Sequence, residues 1–146
     1  MKLSTKGRYG LRALVDLAVH SEEGIVSIQS IANRQNISVS YLEQLVGKMR
    51  RAGIVTSVRG AAGGYRLAKS PSTISVGDVL RALEGDLEAV DCPGNDEIPT
   101  CEAAPKCVTK YVWKRINDSI SQAVDTIMIE ELVQESKKIN GKESKL

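Results

Sequence analysis

The chain has no phenylalanine, one histidine and one tryptophan, and only 3% of its 146 residues are aromatic. Leu, Ile, Val and Ala must therefore fill its core, and a hydrophobic content of 42% is enough for one. The single histidine, His20, falls within a helical pattern. No Ser/His/Asp or Cys/His constellation supports catalysis, and no enzyme is expected. No run approaches the ~18 consecutive apolar residues of a membrane span. The opening MKLSTKGRYGLRAL shows no apolar signal-peptide segment ahead of a small-residue cleavage site. A cytoplasmic protein without a membrane partner is expected. Cysteine is scarce as well: three residues, an odd number, do not suggest a disulfide framework. The length suits one domain, or one domain with an appendage.

Charge is unevenly placed. Residues 1–69 carry 11 Lys/Arg and 4 Asp/Glu, a net +7, whereas residues 70–146 carry 9 and 14, a net −5. A basic half joined to an acidic half suggests that the first half meets a polyanion. An ordinary solvated surface is the competing reading.

Leu11, Leu14, Val15, Ala18 and Val19 follow the i, i+3, i+4, i+7, i+8 pattern of an amphipathic helix ending near Glu22–Gly24. Ser27 is placed to cap a second helix with Ile28, Ile31 and Ala32 inside, and QNIS at 35–38 reads as the turn behind it. A third helix buries Leu42, Leu45, Val46 and Met49 and stops at Gly53. Ser40 and Glu43 have the S-x-x-E spacing of a capping box, with Ser38 as the other candidate cap. The period then changes. IVTSVR at 54–59 and YRLA at 65–68 are β-prone, and the five residues GAAGG between them form a hairpin loop. Beyond Pro71, Ser75 and Asp78 can cap a fourth helix with Val76, Val79, Leu80 and Leu83 inside. Val108, Val112, Ile116, Ile120 and Val124 recur every four residues, a long helix broken near Asp125–Thr126. A short last helix covers IEELVQES, and the charged KKINGKESKL is expected to be disordered.

Helix, helix, turn, helix and hairpin is the order of a winged helix-turn-helix. The expected fold is mainly α with a small β-hairpin, followed by a long C-terminal helix. In such a fold the third helix can enter the major groove of DNA, and the second braces it across the backbone. Ser38, Ser40, Tyr41 and Gln44 lie at or near the start of the third helix, off its apolar stripe, where they can reach phosphates or base edges. Lys48, Arg50 and Arg51 continue the basic supply, and Arg59 and Arg66 flank the wing. Gly60 and Gly63 let backbone amides approach phosphates closely, and Lys2, Lys6 and Arg8 can clamp the DNA backbone. Glu43 is repelled by phosphates but can accept from a cytosine amino group, which would narrow sequence choice; alternatively it only caps its own helix. A winged helix used for protein contacts is the alternative for the whole motif. The glycine run lacks the G-x-x-x-x-G-K-[ST] spacing of a nucleotide phosphate loop.

All three cysteines lie in CPGNDEIPTCEAAPKC, residues 92–107, spaced C-x8-C and C-x5-C among prolines and polar residues that read as loop. Structural zinc sites usually show C-x-x-C knuckles, and none is present. A wider loop can wrap a larger object such as an iron–sulfur cluster, which thiolates hold. Redox-active thiols, a zinc site and unrelated exposed cysteines are the other readings. A [2Fe–2S] cluster needs four protein ligands, so its fourth would be nitrogen, oxygen or a group from another subunit. His20 is more simply a cation at the end of the first helix.

The strings STKGRYGLRALVDLA, ISVSYLEQLVGKMRRAGIVTSVRGAAGGY and ISVGDVLRALEG, followed by three cysteines and a long helix, resemble the IscR/NsrR/CymR family of bacterial transcription regulators. The resemblance implies a homodimer paired through the long helix and a [2Fe–2S] cluster on Cys92, Cys101 and Cys107. It also implies repression or tuning of cluster-biogenesis genes according to cluster supply. The partners so implied are double-stranded promoter DNA, a second copy of the chain and cluster-assembly proteins. On this reading residues 1–85 form the winged helix-turn-helix domain and 86–107 the cluster-binding loop. Residues 108–135 form the dimerisation helix and a short terminal helix, and 136–146 a disordered tail. IscR-type members carry a C-L-T-H run whose histidine is the fourth ligand; here the run is CVTK, and a protonated Lys110 is no ligand. Asp91, Asp96, Glu97, Glu102 or a residue of the partner subunit are left for that place. The first cysteine gap is also longer than in IscR-type members. NsrR-like members imply the alternative of a [4Fe–4S] cluster that senses nitric oxide or redox state. CymR-like members lack the cysteines and imply a cluster-free regulator answering to a protein partner. An iron–sulfur electron-transfer subunit is the alternative from another class.

Overall fold

Four helices of the first 84 residues begin at a serine whose side-chain oxygen satisfies an orphan backbone N–H. Ser4 accepts from Lys6, Ser27 from Ser30 and Ser38 from Tyr41, while Ser75 and Asp78 form a reciprocal capping box. The computed structural model describes residues 3–90, 102 and 104–144. Its elements run α1 (Thr5–His20), α2 (Ile28–Gln35), α3 (Val39–Arg51), β1 (Val55–Val58), β2 (Gly64–Leu67), α4 (Val76–Glu84), α5 (Lys110–Thr126) and α6 (Ile129–Ser144). Single 3-10 turns lie at Ser21–Glu23, Pro71–Thr73 and Ala104–Lys106. The mainly helical fold with one hairpin is the expected one.

Two local expectations are resolved at α3. Ser38 is the cap, held extended at φ −62° and ψ 143°, so Ser40 lies inside the helix and the Ser40–Glu43 box does not form. Asn36 turns the chain between α2 and α3 in the left-handed conformation, φ 54°, and Ile37 donates its N–H to the Ala32 carbonyl at 3.1 Å.

α1 starts six residues before its apolar stripe becomes visible, because glycines occupy the buried positions of its first turns. α4 packs so closely there that a Cβ on Gly10 would overlap the Leu83 side chain, and one on Gly7 would stand 2.9 Å from the Glu84 carboxylate. Glu84 accepts from the backbone N–H of Ser4 at 3.0 Å and of Gly7 at 2.7 Å, and from the Ser4 hydroxyl. The last turn of α4 thus completes the open N-terminus of α1.

The hairpin pairs Val55 with Leu67 and Val58 with Gly64, so its five-residue loop is Arg59–Gly63, one residue earlier than the pattern suggested. Val26 and Tyr65 exchange hydrogen bonds at 2.9 and 2.8 Å and pin the hairpin to the α1–α2 connection. A Cβ on Gly64 would run into the Val26 carbonyl, so that seat requires glycine.

The core gathers Leu14, Leu17, Ile31, Leu42, Leu45, Met49, Ile74, Val79 and Leu83. Ile129 and Val133 of α6 join it, 0% and 1% exposed. Each such side chain contributes about 1.5–3 kcal/mol relative to leaving it in water. α6 enters through a backbone clasp: Val76 donates to the Ile127 carbonyl and Ile129 to that of Ile74, both at 2.8 Å. The expectation of a disordered tail from 136 is corrected, because α6 continues to Ser144. Once its first turns are anchored, each added residue gains a helical hydrogen bond without a new nucleus. Lys137 also pairs with Glu22 at 2.9 Å.

Candidate nucleic-acid interface and cysteine segment

α3 is held by its inner face, where Leu42, Leu45, Val46 and Met49 are buried. Ser40, Glu43, Gln44, Gly47 and Arg51 are spaced i, i+3, i+4, i+7, i+11 and share the opposite face. Lys48 and Arg50 border that stripe. Arg51, which the sequence offers only as general basic supply, therefore lies within it. Glu43 is exposed and has no hydrogen-bond or ion-pair partner among the described residues. The capping explanation of this residue lapses with the box. Gly47 is a position that sequence reasoning missed. A Cβ there would find only the Arg51 guanidinium, at 3.6 Å, so packing does not demand glycine. Its signal was available: glycine at mid-helix costs about 1 kcal/mol, and this one falls on the polar stripe.

α2 is held to α1 by a buried charge. The Asp16 side chain, 3% exposed, accepts from Arg34 Nη2 at 2.7 Å, from Arg34 Nε at 3.0 Å and from Gln35 Nε2 at 2.9 Å. Arg12 adds a hydrogen bond to the Gln35 carbonyl at 2.9 Å, at the C-terminal end of α2. These contacts tie the C-terminal end of α2 to α1.

The flanking residues divide by role. Lys6 and Arg8 are exposed at the start of α1, while Lys2 lies outside the described residues. Tyr9 gathers the guanidiniums of Arg8 and Arg12 over its ring at 5.9 and 5.4 Å, and meets Tyr41 edge-on at 6.4 Å. The Tyr41 hydroxyl lies 3.0 Å from that of Thr5, so Tyr41 ties α3 to α1 rather than standing free. The Ser38 oxygen is engaged as the cap, which leaves its O–H proton for an outside acceptor. At the wing, Arg59 and Arg66 are exposed, Gly60 has φ 117°, and Gly63 donates to the Gly60 carbonyl at 3.0 Å. Through Thr5 and Tyr9, the start of α1 lies beside Tyr41 at the start of α3.

Of the cysteines, Cys92 and Cys101 lie outside the described residues, as do Asp91, Asp96 and Glu97. Cys107 is partly exposed, with Sγ 3.1 Å from the Thr109 hydroxyl. That hydroxyl first, and the Lys110 backbone amide next, hold its thiol below the ordinary range. A thiol so placed favours the thiolate that metals and clusters bind. Lys110 stands over the Tyr111 ring at 5.6 Å. Among the described residues no group of three His, Cys, Asp or Glu side chains could hold a metal ion. His20 ends α1, its Nδ1 2.8 Å from the Asp16 carbonyl.

α5, which follows Cys107, contributes no buried residue. Val108, Tyr111, Val112 and Ile116 are exposed, Val108 at 77%. No described helix is long and apolar enough to cross a membrane.

Known proteins match this arrangement over most of its length. The model of the Rrf2 family, described as an iron-dependent transcriptional regulator, matches residues 3–135. The HTH-type transcriptional regulator IscR of Aliivibrio salmonicida is 44% identical over 133 residues, 91% of this chain and 77% of that protein. Among solved structures, IscR of T. potens is 43% identical with a TM-score of 0.75, covering 95% of this chain and 90% of that one. CymR, the global cysteine regulator of B. subtilis, is 41% identical with a TM-score of 0.74, covering 92% and 97%.

Proposed function

The chain belongs to the Rrf2 family of transcriptional regulators, and from that premise we propose that it works in the cytoplasm as a homodimer on double-stranded DNA. We further propose that it senses iron–sulfur cluster status through Cys92, Cys101 and Cys107. IscR-type relatives, named as transcriptional regulators, support transcription control; its targets on this reading are the genes of cluster biogenesis. The observation that carries it is the position of Cys107. A thiol tuned toward thiolate stands three residues ahead of the helix whose apolar face is uncovered.

Each part of the chain then has a task. Ser38, Ser40, Glu43, Gln44, Lys48, Arg50 and Arg51 meet the major groove, with Glu43 accepting from a cytosine amino group and the cations neutralising phosphates. Lys6 and Arg8 hold the backbone beside it. Arg59, Gly60 and Gly63 present the wing to the neighbouring groove. Val108, Val112 and Ile116 pair with their copies across the dimer. Cys107, with Cys92 and Cys101, would hold a [2Fe–2S] cluster. When bound, that group supplies a centre whose presence follows iron and sulfide supply. Lys110 occupies the place of the histidine ligand of IscR-type proteins and carries a positive charge, so the fourth ligand comes from an acidic residue or the partner subunit. DNA affinity shifts only as far as the loaded cysteine loop prefers one arrangement of the two reading heads.

Cys92→Ala, Cys101→Ala and Cys107→Ala proteins, purified anaerobically beside the parent chain, test this through iron and sulfide content and DNA affinity measured together. Each substitution is expected to lower cluster content and to change affinity for a selected operator by about tenfold or more. Parent protein that carries no iron, or that binds the operator equally with and without it, overturns the sensing role. Binding that shows no dependence on salt overturns the DNA role.

A further inference from the structure

We propose that Gly77, Arg81 and Asp125 form a lock that sets the angle between α4 and α5, and thereby the separation of DNA half-sites that the dimer accepts. This rests on the dimeric DNA-binding reading and adds to it a determinant of operator geometry.

α5 is loosely held for a helix of 17 residues. Near its middle, Asn117 Oδ1 accepts from the Ala89 backbone at 2.8 Å. Ile120 and Val124 lean on the core half-buried. At its far end the clasp of Val76 to Ile127 and Ile129 to Ile74 fixes a point, but a point leaves a helix free to swing. A further contact bears on its direction. Arg81 on α4 grips Asp125 with both arms, Nη1 to Oδ1 at 2.6 Å and Nη2 to Oδ2 at 3.0 Å. A forked pair of parallel bonds fixes orientation as well as distance.

Gly77 gives the pair its seat. It is buried within α4, where glycine is a poor helix former. Its φ is not positive, so backbone conformation does not call for glycine. Space does: a Cβ would overlap Asp125 Oδ1 and stand 2.7 Å from Arg81 Nη1. The pair lies directly on the α4 backbone, one turn from Arg81. Its contribution to folding is small, since the two side chains are 40% and 43% exposed and water screens such a pair. Three residues arranged at this cost to the helix, with so little return in stability, fit a geometric role.

The consequence follows from symmetry. In a dimer paired through α5, any swing of α4 against α5 occurs in both protomers and moves the two reading heads apart or together. Half-site separation is fixed by that distance and by the turn of the duplex.

The test uses the full chain and a half-site that it selects from a randomised duplex library. Inverted repeats of that half-site are built with the separation stepped one base pair at a time. The parent chain is expected to prefer one separation by about tenfold over its neighbours, and Gly77→Ala and Arg81→Ala to reduce that preference to about threefold or less. Arg81→Ala guards against a trivial folding loss, because it removes a 40% exposed side chain and introduces no overlap. Melting temperature and sedimentation are read on the same samples. Folded, dimeric variants that keep the parent profile overturn the lock alone. A parent chain that sediments as a monomer, or that selects no half-site, overturns the dimeric DNA reading and the lock with it.

Discussion

Glu84 joins the end of α4 to the beginning of α1, and its chemistry gives that joint a pH dependence. Burial opposes its ionisation, but hydrogen bonds from the Ser4 hydroxyl and from the Gly7 and Ser4 amides outweigh it and hold the carboxyl below its ordinary value of 4.5. A carboxylate whose value falls on folding contributes stability that is present above the unfolded value. That contribution is lost as pH falls through the folded one. Glu84→Gln keeps the shape and removes the charge. Urea titrations should show the parent chain more stable than Glu84→Gln at pH 7, with the gap closing below pH 4.5. A gap that is constant with pH removes the carboxylate from this role. The same scale shows where sequence reading stops. Ser38 and Ser40 were both legible as caps, and backbone conformation, which sequence does not display, chose Ser38.

The helices were legible where apolar spacing and a cap agreed, as at Ser27 with Ile31 and at Ser75 with Val79 and Leu83. The start of α1 was hidden because close packing against Leu83 requires glycine where the pattern needs an apolar side chain. The reach of α6 was hidden for a different reason: its anchor is a contact with Ile74 across the fold, and nothing local announces it. The candidate reading face was readable as residue types. Its stripe was not, and Arg51 and Gly47 emerged only when the buried side of α3 was fixed. Gly47 gives a prediction for that element. Gly47→Ala should raise stability by about 1 kcal/mol through helix propensity. Gly47→Gln should leave the melting temperature at or above that of the parent and lower DNA affinity about tenfold, because a side chain now stands where the helix must approach the groove. Thermal melts and fluorescence anisotropy decide it; undiminished binding by Gly47→Gln removes Gly47 from the interface.

For the whole molecule, the exposed row on α5 is the feature with no partner within the described chain. Isolated apolar side chains on a surface are ordinary, but Val112 and Ile116 lie on one side of α5, with Tyr111 beside them and Val108 just ahead of the helix. Replacing Val112 and Ile116 together by glutamate should shift sedimentation from dimer to monomer while leaving the helical signal in circular dichroism intact, since neither side chain is in the core. Parent chain already monomeric at micromolar concentration would show that this row serves something other than self-pairing.

Ile129 and Val133 complete a core whose other walls are made by the first 87 residues. During synthesis, then, the amino-terminal part waits with a gap in its interior until the last helix has left the ribosome. By that moment all three cysteines have been translated. A nascent chain halted before α6 lacks the two side chains that complete this interior.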